Sequence, residues 1–211
     1  MVSEIDSLLN SMPPNVSDYA DDLTELAIED VPWERVPRIK EVMRSCSDKY
    51  DALRAAIVLT CWGDEDGFNY LESCVCDSPP WTEILFPHRL RNYDDTYAQV
   101  LMTFRRYWAQ RATAGFGDDA REKLFKPVSQ IIRMANKMPF EIVALFWLVE
   151  DAGFTEYLPA LKEHLTAILK HPELHHWKIA DCAHLLMKFD PEFVEQALAA
   201  HGKTLADFPN K

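Results

Sequence analysis

The chain has 211 residues, of which 48% are hydrophobic, 27% are charged and only 6 are glycine. That content excludes disorder and a fibrous repeat, and the length is enough to bury roughly 70% of the surface that unfolding would expose, without help from a disulfide or a metal. With 34 Asp and Glu against 22 Lys and Arg the formal charge is −12, which disfavours direct binding to a phosphate backbone and favours a basic partner.

Residues 1–34 hold nine acids and no Lys or Arg, so this segment carries −9 and the other 177 residues carry 22 − 25 = −3. The start, 1–6, contains Glu4 and Asp6 where a secretory signal would carry basic residues, and no apolar run approaches the ~18 residues of a membrane span. A cytoplasmic protein is the expectation. After a stop at Pro13-Pro14, Ser17 and Asp18 read as a cap. Tyr19, Leu23, Leu26 and Ala27 then recur at helical spacing until Pro32. Val36, Ile39, Val42 and Met43 mark the apolar face of the next helix. Ser47-Asp48 opens another through Leu53, Ala56 and Thr60, closed by Gly63. A short helix over 67–76 turns Phe68, Leu71, Cys74 and Val75 inward.

The stretch 77–93 is irregular, with three prolines and no periodicity, and is long for a connection within a compact domain. Trp81, Ile84, Leu85 and Phe86 read as a satellite core, and His88, Arg89, Arg91 and Tyr93 as contacts for a partner, being types enriched at interface hot spots. Helices follow over 94–112 and 118–136, the second with Pro127 placed to kink or split it. Pro139 starts an almost wholly apolar helix through Phe146 and Trp147, of the kind found inside a stack of helices, and its apolar surface is also where two copies would meet. Gly153 closes it, Thr155 caps the next, a helix over 177–188 follows, and Asp190-Pro191 supplies an N-cap with Pro at the first helical position.

Five cysteines, an odd number with no CxxC, imply reduced thiols. The side chains of Cys74 and Cys76 diverge by about 200° on a helix. Cys61 and Cys182 lie in apolar runs, as small hydrophobes do. His171, His175 and His176 surround Pro172, and no further ligand completes a metal set. His164 and His184 read as packing histidines. No GxSxG, HExxH, Walker or GxGxxG pattern occurs. The sequence thus carries no expectation of catalysis, cofactor or metal. Arg105, Arg106 and Arg111 form a basic-aromatic helix face with Tyr107 and Trp108, and this face is expected to pair with internal acids.

Three segments share one plan: a helix with small residues, a Gly or acidic turn, then a second helix. They run through Leu53 to Leu71, Ile142 to Leu158, and Ile179 to Val194. Ala144 and Ala180 are 36 residues apart, as are Leu158 and Val194, the length of one antiparallel helix pair. Residues 52–71, with Arg54, Ala55, Ala56 and the Gly63-Asp64 turn, resemble a HEAT-like repeat; 140–165 and 177–198 match more loosely, and 78–135 not at all. The resemblance implies an all-α fold, a single domain over 1–211 built as an α-solenoid of stacked antiparallel helix pairs. Such solenoids present long surfaces to macromolecules.

A small, acidic, all-helical chain of this plan resembles bacterial immunity proteins that neutralise secreted effectors of the type VI kind. The resemblance implies a cognate toxin as partner, a basic nuclease among the candidates, and carries no site residues with it. From the residues themselves, the candidate partner-binding set is Asp18, Asp21, Asp22, Glu25, Glu29, Asp30, Asp64, Glu65, His88, Arg89, Arg91 and Tyr93. Acid at such a surface steers association with a basic face. A non-catalytic adaptor or scaffold would use the same surface. A helical-repeat enzyme acting on nucleic-acid bases would need a cationic groove, which the charge disfavours.

Overall fold

The computed structural model describes residues 3–14, 16, 18–79, 81, 83–88, 90 and 93–209. Ten α-helices and five short 3-10 turns occupy these residues; the β pairing among them is one antiparallel bridge between Pro87 and Asp94. The all-helical expectation therefore holds. The sequence reads as one continuous domain; the fold divides into two compact units, Met1–Leu85 with Met102–Pro127, and Phe86–Leu101 with Val128–Lys211.

The first unit begins with α1 (Glu4–Asn10), capped by the Ser3 hydroxyl, and continues through α2 (Val36–Ser45), α3 (Lys49–Cys61) and α4 (Glu65–Cys76). The Asp48 carboxylate accepts from the N–H groups of Tyr50 and Asp51, satisfying two orphan donors at the start of α3. Asp64 does the same for Asp66 and Gly67 at the start of α4, where Glu65 and Asp66 in the first turn suit the positive end of the helix dipole. Between the two helices the chain reverses through Gly63 at φ 79, a left-handed conformation that other residues adopt only with strain.

Helix α3 is the centre of this unit. It packs against both α2 and α4, and Ala52, Ala55, Ala56 and Leu59 are buried on it. Gly67 explains how close α4 comes: a Cβ there would lie 2.7 Å from Leu59 Cβ and 2.8 Å from the Thr60 backbone nitrogen. Because the obstacle includes backbone, Gly67→Ala is expected to lower stability by about 2 kcal/mol in urea unfolding, overpacking outweighing the gain in helix propensity. Phe68 stacks on Tyr107 at 4.6 Å between ring centroids and meets Phe104 at 5.4 Å. These partners lie on α5 (Thr96–Thr113), whose second half belongs to this unit together with the start of α6 (Gly117–Ala135). Pro127 stands inside α6 without splitting it.

The segment from Tyr19 to Val31 departs from expectation. It reads as helix, but consists of turns with two 3-10 pieces, Leu23–Glu25 and Ile28–Asp30. The reason is tertiary. The Leu23 carbonyl accepts from the Trp62 indole N–H at 2.6 Å and the Leu26 carbonyl from the Gln110 amide at 2.7 Å. Side chains of other helices thus take carbonyls that a helical ladder would use. Val16, Ala20, Leu23, Leu26 and Val31 are all buried, so the segment is held down by burial and not by helical periodicity.

In the second unit, α9 (Pro172–Met187) packs against α7 (Val143–Glu150), α8 (Leu158–Ile168) and α10 (Pro191–Ala199). Leu161, Leu165, Ile179, Cys182, Ala183, Leu186 and Val194 form its core. Asp190 caps α10 through the Phe193 N–H as expected. Thr155 lies within the 3-10 turn Thr155–Tyr157 and is not the cap of α8. Helix α7 starts four residues later than Pro139 suggests: Phe140 and Ile142 are both buried, and the Met138 carbonyl accepts from Lys178 Nζ at 2.8 Å, which fixes the chain before the helix. Nor is α7 enclosed on all faces, since Val143 and Trp147 are 46% and 37% exposed and Phe146 is half-buried. In the 77–93 stretch, Trp81, Leu85 and Phe86 are half-buried, but Ile84 is 61% exposed and belongs to no core.

Candidate functional site

The acidic segment of the first unit forms one wall of a groove of about 530 Å³, opposite residues of α5. Tyr19, Glu25 and Leu26 line it from the segment, and Arg106, Gln110 and Thr113 from the helix. The wall is held by specific polar contacts. Arg106 donates to the Thr24 hydroxyl and, at 2.8 Å, to Glu25. The Tyr19 hydroxyl donates to Asp30 at 2.6 Å, which pushes the Tyr19 pKa up, and the same oxygen accepts from the Ala27 N–H. Cys61 at the floor is 1% exposed, and burial pushes its thiol up to about 12, so it remains a thiol and not a nucleophile.

These contacts sort the predicted acids. Asp18, Asp21, Asp22 and Glu29 are exposed and form no ion pair among the described residues. Asp22 also caps its own turn through the Thr24 N–H. Glu25 is engaged by Arg106 and by the Asp21 N–H, and Asp30 by Tyr19. Asp64 and Glu65 are engaged more fully. Asp64 meets Lys40 at 2.7 Å. Glu65 accepts from the Tyr107 hydroxyl and from Lys123, both at 2.9 Å, with Arg111 at 3.4 Å. Burial, then the Glu65 hydrogen bond, raises the Tyr107 pKa. Glu65 therefore ties α4 to α5 and α6 within the unit. Arg106 and Arg111 are taken up by internal acids, as expected of that basic face.

His88 and Tyr93 lie in the second unit, where their rings pack at 4.8 Å. His88 is half-buried, approaches Asp95 at 4.0 Å and accepts from the Leu90 N–H. It is engaged in ordering its own loop. Arg89, Arg91 and the cap Ser17 lie outside the described residues. No cluster of three or more potential metal ligands occurs among the described residues, and no helix among them is long and apolar enough to cross a membrane.

Sequence reasoning missed two features. The first is the groove, whose α5 side rests on Gln110 and Thr113, polar residues with no motif. The second is Lys178, 5% exposed on α9. It shares a helical face with Cys182 and Leu185, and a lysine at that spacing was the available signal. Comparison of the chain with protein-family models, with curated proteins and with solved structures finds no match in any of the three.

Proposed function

We propose that the chain is a HEAT-like helical-repeat inhibitor that binds and neutralises a cognate basic toxin, a nuclease effector fitting best, in the cytoplasm of a bacterium. The observation that carries this reading is a group of four exposed acids, Asp18, Asp21, Asp22 and Glu29, that have no cation partner among the described residues and stand on a segment that also walls the groove beside α5. Helices that are neighbours in sequence, α2 with α3 with α4 and α8 with α9 with α10, pack on one another, as stacked pairs require. Unpaired acid on a fixed segment raises the association rate with a cationic face and loses that advantage in salt.

The test is co-purification with the product of the neighbouring reading frame, followed by calorimetry. A 1:1 complex should weaken at least tenfold between about 50 and 300 mM NaCl. Changing Asp18, Asp21, Asp22 and Glu29 together to Asn or Gln should weaken it about 100-fold at low salt while leaving the urea midpoint unchanged. Affinity indifferent to both changes would remove the electrostatic basis. On α7 the apolar side chains of Val143 and Trp147, both exposed, and of half-buried Phe146 favour a second reading, an adaptor that joins partners or copies of itself. Rescue of cells from the partner's toxicity separates the two, because an adaptor leaves its partner active.

A further inference from the structure

The second unit holds a pocket of about 370 Å³ at a bend in α9. His175 has non-helical backbone angles there, φ −118 and ψ 18, so 172–174 and the rest of the helix meet at a kink. Lys178, His175, His176 and Glu173 line the polar side, and Leu174, Trp177, Pro139 and Tyr93 the rest. Lys178 Nζ donates to the carbonyls of Ala135 and Met138 at 2.6 and 2.8 Å and lies 5.9 Å from the Phe140 ring centroid. No carboxylate among the described residues comes within ion-pair distance of it. His175 is 2% exposed, and its Nδ1 is buried without a hydrogen-bond partner. A buried cation whose nearest favourable carboxylate, Glu141, acts on it only at longer range, and a buried ring nitrogen without a partner, both cost free energy. One anionic acceptor placed between them would relieve both.

We propose that this pocket binds a small organic monocarboxylate with an apolar body. Its carboxylate accepts from Lys178 Nζ and from His175 Nδ1–H, and its alkyl or aryl part lies against Leu174, Trp177 and Pro139. The charge count selects the class. Burial pushes Lys178 down to about 8 and His175 down to about 4, so at neutral pH the first carries most of its charge and the second carries none. One positive charge, with the exposed carboxylate of Glu173 at the rim, suits a monoanion and opposes a phosphate dianion.

The probe is sodium 4-phenylbutyrate, followed in the intact chain by the imidazole resonances of His175, assigned by their loss in His175→Gln. The expected result is a saturable shift with a Kd on the order of 0.1–1 mM, as suits a ligand of this size. The uncharged 4-phenylbutyramide should bind at least tenfold more weakly, and Lys178→Met should lose about as much. The amide comparison needs only the wild-type chain, so it stands even if Lys178→Met fails to fold. Equal binding of acid and amide, no His175 shift at about 10 mM phenylbutyrate, or inorganic phosphate binding as tightly as phenylbutyrate would each overturn the proposal.

Discussion

Urea unfolding followed from pH 7 to pH 4.5 is expected to show stability falling steeply once the pH passes below 6.5, with His164 responsible for about 2 kcal/mol of the loss by pH 5. His164 is fully buried on α8. Its Nδ1 lies 2.7 Å from the Asn136 side-chain oxygen, so Nδ1 carries the proton, and Nε2 is a bare acceptor, buried with no partner. Protonation would put a second N–H where nothing accepts it. Burial, then the charges of Lys178 and His175, pushes His164 down to about 3 and, with Lys178 again contributing, His175 to about 4. Both folded values lie below the ordinary 6.5. Below that pH the unfolded chain takes up protons that the folded chain refuses, so stability is full above 6.5 and is lost as the pH falls. Each histidine contributes about 1.4 kcal/mol per pH unit. With both acting, the slope between pH 6 and 4.5 should approach two protons, and His164→Leu should reduce it to about one. A slope unchanged in His164→Leu would show that the ring titrates in the fold. Carboxylates held low, such as Asp66 beside Lys40 and Asp190 beside Lys162, begin to act only below about pH 5 and so touch only the low end of this window.

The helical fold was legible in the sequence because its signals are local. Asp48, Asp64 and Asp190 announce helix starts by chemistry that needs no tertiary partner. Gly63 and Gly153, at φ 79 and 73, announce reversals for the same reason. What could not be read depends on contacts remote in sequence. The segment around Leu23 has helical spacing, yet 39 residues separate Leu23 from the Trp62 ring that claims its carbonyl. Asp64 and Glu65 look as available as Asp21 until Lys40, Tyr107 and Lys123 are brought against them. Asp18, Asp21, Asp22 and Glu29 stand in a segment that contains no cation of its own, and that asymmetry was visible in the charge distribution of 1–34. For α7, apolar composition alone could not distinguish a helix surrounded by others from one that leaves Val143 and Trp147 in solvent. The pocket at the α9 kink was the least legible: the sequence reads as a connection up to His176 with a helix over 177–188, whereas α9 begins at Pro172 and bends at His175.

The Trp62→Ala variant should lose about 4 kcal/mol of stability and, under conditions where it still folds, most of its affinity for the proposed partner. Trp62 is 1% exposed at the end of α3, among the largest fully buried side chains of the unit; truncating such a residue typically costs about 3–5 kcal/mol, largely through the cavity left behind. Its indole N–H is also the donor that holds the Leu23 carbonyl. Trp62→Phe separates the two contributions. It keeps much of the apolar volume and leaves that buried carbonyl unsatisfied, a loss of about 1–3 kcal/mol. The functional consequence follows from position. Leu23 lies directly between Asp22 and Thr24, the hydroxyl of which Arg106 grips, so freeing the carbonyl loosens the turn that presents Asp21 and Asp22. A partner docking on a fixed acidic surface would then bear the cost of ordering that turn, and dissociation should quicken while the salt dependence, set by the number of charges, stays as it was. Surface plasmon resonance at two salt concentrations measures both quantities. Trp62→Phe binding with an unaltered dissociation rate would show that the acidic turn acts as a flexible tether, and that its fixed geometry contributes nothing to recognition.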